Sequence, residues 1–438
     1  MSNPIKCYFT LGGINYKNGF VTSCPQQSDQ LYLLKDKIKP SEIINTELFK
    51  QHRLSMMASD WSPGCHLCRD VEAERAGKSM REGHEIPLLT HYNNDGTIKF
   101  AGLKHIELRF SNSCNLACLH CSEVYSSGWM SKLKNYIPDE EDYAHRLIQL
   151  TKEHHRTGSD DDLSIGLSLE DMYSVVQDLI DNFPNLEKVD FAGGEVLYQK
   201  QFLPCLEKLA EHPNAKNMWI FFHSNFNAKF DPNKLYELLK PFGKITIMIS
   251  VDAGKKIYPY FRTANWETLK SNIDKFKALD KDKRVLIRLV CTTSAYQIMD
   301  IVDVFESFLT LDIDRINSSI VYTPEYMNPA LMMQEFSDHV LADLDLAKQA
   351  IENERTRRMA SGKASQYRSW VKEDQFEDIF TAHNALENIR QYVINHKTSK
   401  NEFDAFEVYI RKSDALWKQN FNDYFTNYKI VNQKIHRS

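Results

Sequence analysis

Cys114-Asn115-Leu116-Ala117-Cys118-Leu119-His120-Cys121 places three thiols within eight residues, with three and then two residues between them. Thiolates are the usual protein ligands of iron–sulfur clusters, and a cubane held by four of them is coordinatively closed. Held by three, a cubane keeps one iron open to a ligand that is not protein, as a catalytic zinc site keeps one open position. Three reduced, buried thiols or part of a zinc site are the plainer readings of the same residues. Further along, Gly193-Gly194-Glu195 combines glycines, which let backbone approach a ligand closely, with a carboxylate able to accept from an ammonium. Ser224-Asn225 and Ser250-Val251-Asp252 follow, and Arg262 is spaced to pair with a carboxylate. Taken singly, these are turns, caps and surface charges. A second thiol group joins Cys65-His66-Leu67-Cys68, a chelating C-x2-C pair, to Cys7 and Cys24 upstream. Structural zinc, an auxiliary iron–sulfur cluster and unligated thiols all suit those four, since four thiolates close a tetrahedral zinc site.

The elements that must position these residues read as strand–helix repeats between 105 and 323. Ile106, Leu108 and Phe110 alternate with Glu107 and Arg109 in a first strand that runs directly into the cysteine loop. Ser168 caps a helix, with Asp171 three residues on and Met172, Val175, Val176, Leu179 and Phe183 on one face. Strands follow at 188–192, 218–223, 245–251, 285–291 and 315–322, with helices near 201–211, 232–239, 266–279 and 299–309. Six strands alternating with helices predict an α/β fold, a partial (β/α)6 TIM-type barrel over 100–330. Chemistry in such folds sits at the carboxyl ends of the strands. Gly193-Gly194-Glu195, Ser224-Asn225 and Ser250-Val251-Asp252 all fall there.

Residues 1–95 read as a cysteine-rich auxiliary module and 331–438 as a helical carboxy-terminal extension. Val340, Leu341, Leu344, Ala347 and Ile351 mark one helix, Phe376 to Val393 a second, and Trp417, Phe421, Tyr424 and Phe425 a third. The extension is expected to cap the open side of the barrel. The acidic groups between Asp139 and Asp162, and His154-His155, are read as solvated. Cys205 and Cys291 are read as small buried hydrophobes.

Composition narrows the classes. The chain has 438 residues, a net charge of -5 and a pI near 6.3, which gives no electrostatic case for nucleic acid. No apolar run is long enough to span a membrane, and the amino terminus lacks the apolar core of a signal peptide. Seven of the nine cysteines lie in the first 121 residues, a clustering that favours metal sites over disulfides and a reducing cytoplasm as the compartment.

The C-x3-C-x2-C spacing, with the later motifs in order over about 220 residues, resembles the radical S-adenosylmethionine (SAM) enzymes. The resemblance implies a [4Fe-4S] cluster on Cys114, Cys118 and Cys121. It gives Gly193, Gly194 and Glu195 to the SAM amino group, Ser224 and Asn225 to the region near the ribose, and Ser250, Asp252 and Arg262 to a segment in which Arg262 meets the SAM carboxylate. Asn227 stands where a glycine is common, and His120 where many members carry an aromatic. Asn45, Arg53, Cys65, Cys68, Glu72, Gly77, Ser79 and Arg81 resemble the auxiliary-cluster region of the SPASM/twitch subgroup. That implies a further [4Fe-4S] cluster on Cys7, Cys24, Cys65 and Cys68, zinc being the alternative; many relatives carry a Cys-Cys pair where this chain has Cys24-Pro25. The implied activity is reductive cleavage of SAM to a 5′-deoxyadenosyl radical that abstracts hydrogen from an unactivated C–H. The implied partners are a reducing electron donor and a peptide or protein substrate. Oxidation or epimerisation of a small molecule, and a non-catalytic Fe–S or zinc scaffold, are the rivals.

Overall fold

A computed structural model describes residues 7–17, 20–24, 32–33, 38–62, 64–74, 81, 92–122, 125–133, 166–313, 315–322, 324–360, 378–396 and 398–425. The acidic segment 139–162, His154-His155, Gly77, Ser79, Pro25 and Phe376 lie outside the described residues. The chain divides into two compact units. The first comprises Met1–Cys114, Glu140–His223 and Lys234–Ile245, and the second Asn115–Asp139, Ser224–Asn233 and Thr246–Ser438.

Six strands build the sheet of the first unit: β1 (Gly13–Lys17), β2 (Phe20–Thr22), β3 (Tyr32–Leu33), β4 (His105–Arg109), β5 (Lys188–Ala192) and β6 (Trp219–Ser224), whose last residue belongs to the second unit. They run in the order β3-β2-β1-β4-β5-β6. β1, β4, β5 and β6 are parallel neighbours, and β2 and β3 are antiparallel additions at one edge. The sequence predicts β4 as the first strand, so β1 to β3 are a correction. The amino-terminal region is not only a thiol carrier but extends the sheet. β1 is short: Ile14 and Tyr16 alternate with Asn15 and Lys17, but over only five residues, too brief a run to stand out as a strand. Helix Leu169–Asn182 starts where Ser168 predicts, with Ser168 Oγ accepting from Asp171 N–H at 3.0 Å and the reciprocal bond present. Ser41 ties the amino-terminal region to that helix, its hydroxyl donating to Asp178 at 2.6 Å.

In the second unit β7 (Lys244–Ser250, entering from the first unit), β8 (Val285–Thr293) and β9 (Ile316–Ile320) continue the alternation, with β8 and β9 parallel. Helices Trp266–Leu279 and Ile301–Leu309 bury Leu269, Ile273, Phe276, Val304 and Phe308. The extension holds helices Met333–Ala360, Asp378–Asn395 and Lys400–Trp417. Lys400–Trp417 is not predicted from the sequence, although Ser399 and Glu402 form a capping box at its start. The predicted third helix through Trp417, Phe421, Tyr424 and Phe425 is also corrected. Lys418 takes a left-handed φ of 55° and ends one helix, and Asn420 caps a separate short one, Phe421–Tyr424. Among the described residues no helix is long and apolar enough to cross a membrane.

Candidate active site

β4 carries two faces of opposite character. Ile106 and Leu108 point into an apolar layer shared with Val189 and Phe191 of β5 and Ile220 and Phe222 of β6, all essentially buried. The other face is polar. Register pairs Asn15, Glu107, Asp190 and Phe221 across four strands, with His105 and Lys188 one row below and Arg109 one row above. Strands in parallel sheets are ordinarily apolar on both faces. A charged face on such strands is therefore a signal in its own right, and the sequence displays it as the Glu107 and Arg109 alternation. Its charges are internally matched. Arg109 Nε donates to Glu107 at 2.5 Å, and both His105 Nε2 and Lys188 Nζ reach Asp190 Oδ2 at 2.9 Å. Burial would raise the Asp190 pKa, but His105 and Lys188 outweigh it and hold the carboxyl below its ordinary value. Desolvation of its ring lowers the pKa of His223, near the end of β6, against the pull of Asp190 and Glu107.

Past β4 the backbone of Ser111 to Cys114 is held against the segment that follows β5. Glu195 N–H donates to Ser113 O at 2.9 Å, and Gln199 Nε2 donates to Ser111 O at 3.0 Å and Gly193 O at 2.8 Å. Gly194 is required here. Its φ is +45°, and a Cβ would stand 2.2 Å from Ser113 O. Glu195 is buried, one carboxylate oxygen accepting from Leu197 N–H at 3.0 Å.

In the second unit the loop from Asn115 to Cys121 gathers the remaining candidates. Asn225 Nδ2 donates to Asn115 Oδ1 at 2.9 Å, and Ser224 Oγ accepts from Phe226 N–H at 2.9 Å. Cys118 is buried with its Sγ 3.7 Å from Arg262 O, while Cys121 is partly exposed. Arg262 Nη1 donates to Asp252 Oδ2 at 2.5 Å, and Asp252 Oδ1 accepts from Thr292 N–H at 2.8 Å. Asp252 takes a positive φ of 58°, uncommon for a residue with a side chain. His120 stacks on Phe261 with ring centres 4.9 Å apart and planes 6° apart, so it fills an aromatic's place. Its Nε2 is 3.6 Å from Asp252 Oδ2, and burial lowers its pKa despite that carboxylate. Ser250, which ends β7, makes no distinctive contact among the described residues.

Comparison with known proteins bears on this arrangement. Residues 108–303 match the sequence profile described as the Radical SAM superfamily, from within β4 to the start of helix Ile301–Leu309. Over those residues, a little under half of its length, the chain is similar to that superfamily. No curated protein matches the chain. Among solved structures it is similar to anSMEcpe with bound AdoMet, at 17% identity and a TM-score of 0.37, over 59% of this chain and 62% of that one. It is also similar to Streptococcus suis SuiB bound to precursor peptide SuiA, at 15% identity and a TM-score of 0.32, over 54% and 45%. The chain therefore spans less than two thirds of either structure's length.

The superfamily implies a [4Fe-4S] cluster and SAM. The donor chemistry of the radical SAM domain fits: three thiols on one loop, none in a disulfide. Among the described residues no group of three His, Cys, Asp or Glu stands close enough to hold one metal ion. A cubane takes each thiolate on a different iron and needs no such convergence.

Ahead of the domain, the four amino-terminal cysteines lie together in the first unit. Cys7 and Cys24 are buried with Phe9 and Met56. Burial pushes the Cys65 thiol up to about 11, and the neighbouring Cys7 and Cys68 add to the rise. Cys65 directly precedes helix His66–Glu74 and Cys68 lies in its first turn, an end that favours thiolates. The polar residues that resemble the auxiliary-cluster region bond within the protein. Arg53, fully buried, donates to Gly96 O and Ile44 O at 2.6 Å and to Asn45 Oδ1 at 3.2 Å. Asn45 bonds both backbone groups of Ile98. Glu72 and Arg81 form a two-point ion pair, with contacts of 2.9 and 2.5 Å. Cys205 and Cys291 are fully buried small hydrophobes, as expected.

Proposed function

We propose that the chain is a radical SAM enzyme in which Cys114, Cys118 and Cys121 hold the [4Fe-4S] cluster and which modifies or oxidises a peptide or protein substrate. The carrying observation is the superfamily match, which opens in β4 directly ahead of the three-thiol loop. A cluster bound there would supply the one electron for reductive cleavage of the SAM C–S bond, with methionine as the other product. The chain's own residues do the rest. Glu195, fixed by its backbone bond to Ser113, presents a carboxylate to the SAM ammonium. Gly193 and Gly194 let that segment lie against the strand of backbone leading to Cys114. Arg262 meets the SAM carboxylate from the fixed position its pair with Asp252 gives it. Asn225, bonded to Asn115, borders the ribose together with Ser224. The polar face of β4 and β5, with Arg109 and His223 at its upper end, offers hydrogen bonds to a polar substrate rather than an apolar one.

Cys7, Cys24, Cys65 and Cys68 hold an auxiliary [4Fe-4S] cluster in this reading. Four thiolates would close it, which suits electron transfer rather than substrate binding. Free thiols and a need for a reducing donor agree with a cytoplasmic enzyme.

The test is anaerobic reconstitution with iron and sulfide, followed by assay of 5′-deoxyadenosine under dithionite. The expected result is about eight irons, falling to about four with loss of cleavage in the Cys114→Ala/Cys118→Ala/Cys121→Ala variant. About four irons falling to none would keep the enzyme and remove the auxiliary cluster. Wild-type protein that neither holds iron nor cleaves SAM would end the proposal.

A further inference from the structure

The loop Asn115 to Cys121 has no regular secondary structure; Cys121 N–H donates to Cys118 O at 2.9 Å within it, and its other backbone bonds reach partners elsewhere. Each partner in the second unit is specific. Ser126 Oγ donates to Leu116 O at 2.5 Å, and Thr263 Oγ1 accepts from Ala117 N–H at 3.0 Å. Phe261 O accepts from Leu119 N–H at 2.9 Å. The remaining two partners are aromatic side chains on successive carbonyls. Trp129 Nε1 donates to Cys118 O at 2.7 Å, and Tyr409 OH donates to Leu119 O at 2.8 Å, across 290 residues of sequence. Trp129 is itself met edge-on by Trp417, ring centres 4.5 Å apart. Tyr409 and Trp417 both lie on helix Lys400–Trp417, beyond the end of the matched domain at 303.

We infer that helix Lys400–Trp417 is a positioning element for the cysteine loop, Tyr409 acting directly on Leu119 O and Trp417 acting through Trp129 on Cys118 O. Groups hydrogen-bonded around a metal ligand help to fix its orientation. The purpose assigned to the brace rests on Cys118 and Cys121 being cluster ligands; its existence does not. The neighbouring aromatic cluster anchors the chain just past this helix. Tyr260 OH donates to Asp414 at 2.8 Å and packs against Phe421, Tyr424 and Phe425. The extension thus does more than cover apolar surface.

The test compares full-length wild type, Tyr409→Phe and Tyr409→Phe/Trp417→Leu by hydrogen exchange in metal-free protein. The Ala117 and Leu119 amides report on the loop, and helix Trp266–Leu279 is the reference within the same unit. Loss of one hydrogen bond is expected to speed loop exchange about fivefold, and the double variant should speed it further, with the reference helix unchanged. After reconstitution, the reduced variants should show a broadened electron paramagnetic resonance signal in the presence of SAM. Unchanged loop exchange in both variants would overturn the brace. So would an equal rise in the reference helix, which would mark a general loss of stability. Faster loop exchange in a chain whose wild type holds no iron would leave the brace standing and remove the cluster it is assigned to hold.

Discussion

The two cysteine groups of this protein reach their places by opposite routes. Cys114, Cys118 and Cys121 are neighbours in sequence, and the fold's task is to hold one short loop in one shape. Cys7, Cys24, Cys65 and Cys68 are spread over 62 residues, and the fold must bring them together. The loop is held through its backbone, by Ser126, Thr263, Trp129 and Tyr409. In the unit that holds the amino-terminal set, buried Arg53 ties the Gly96 and Ile44 carbonyls together. A local motif can therefore fail in geometry while the protein stays folded, whereas a dispersed one fails with its scaffold.

The largest expected effect tests the local half of that contrast. In Gly194→Ala the added Cβ meets Ser113 O and must push apart the segments that frame Cys114. A shift near 1 Å should lower SAM cleavage about a hundredfold. Cleavage within threefold of wild type, measured as 5′-deoxyadenosine release, would show that this contact does not position the site.

Next is Arg53→Leu, which leaves the Gly96 and Ile44 carbonyls without their donor. It should cost about 3 kcal/mol and lower Tm by roughly 6–12 °C in calorimetry. A Tm equal to that of wild type would show that the fold of this unit does not depend on Arg53.

The third effect appears on acidification. Burial lowers the His52 pKa to about 4, so between pH 6.5 and 4 the unfolded chain takes up a proton that the folded chain does not. Stability is full above the ordinary histidine range and falls with pH across that window, by roughly 2–3 kcal/mol. His52→Gln should flatten the fall when denaturant midpoints are compared at pH 7 and pH 4.5; an identical slope would clear His52.

The smallest expected effect is that of Tyr92→Phe. It removes a 2.8 Å hydrogen bond to Leu11 O and should cost about 1 kcal/mol. Denaturant midpoints would sharpen the contrast if the loss appears in stability alone and not in SAM cleavage.

Legibility in the sequence followed the same division. Strand Lys188–Ala192 and helices Pro232–Leu239 and Trp266–Leu279 stand at their predicted bounds, because alternation and capping are local. Gly193-Gly194-Glu195, read at a strand end, does follow β5 and lies against the backbone leading to Cys114. The failures are places where distant contacts decide. β1 is a strand because it pairs with β4, and nothing within Gly13–Lys17 requires it. Trp417, Phe421, Tyr424 and Phe425 have helical spacing, yet Lys418 divides them, since Trp417 packs on Trp129 and the others on Tyr260. Tyr409 carried no signal at all, because its partner is 290 residues away.

The sequence by itself determined the candidate residues and their order: a three-thiol loop placed after a strand, strand–helix repeats behind it, and glycine and acidic residues at later strand ends. Spacing of this kind is set by covalent connection and by the periods of strand and helix, which act over a few residues. Only the tertiary structure decided that the amino-terminal region joins the sheet, that Arg53 and Asn45 are framework, and that the carboxy-terminal helix holds the cysteine loop. Those outcomes turn on which buried carbonyls and amides find partners, and that is settled only when residues far apart in the chain are packed together.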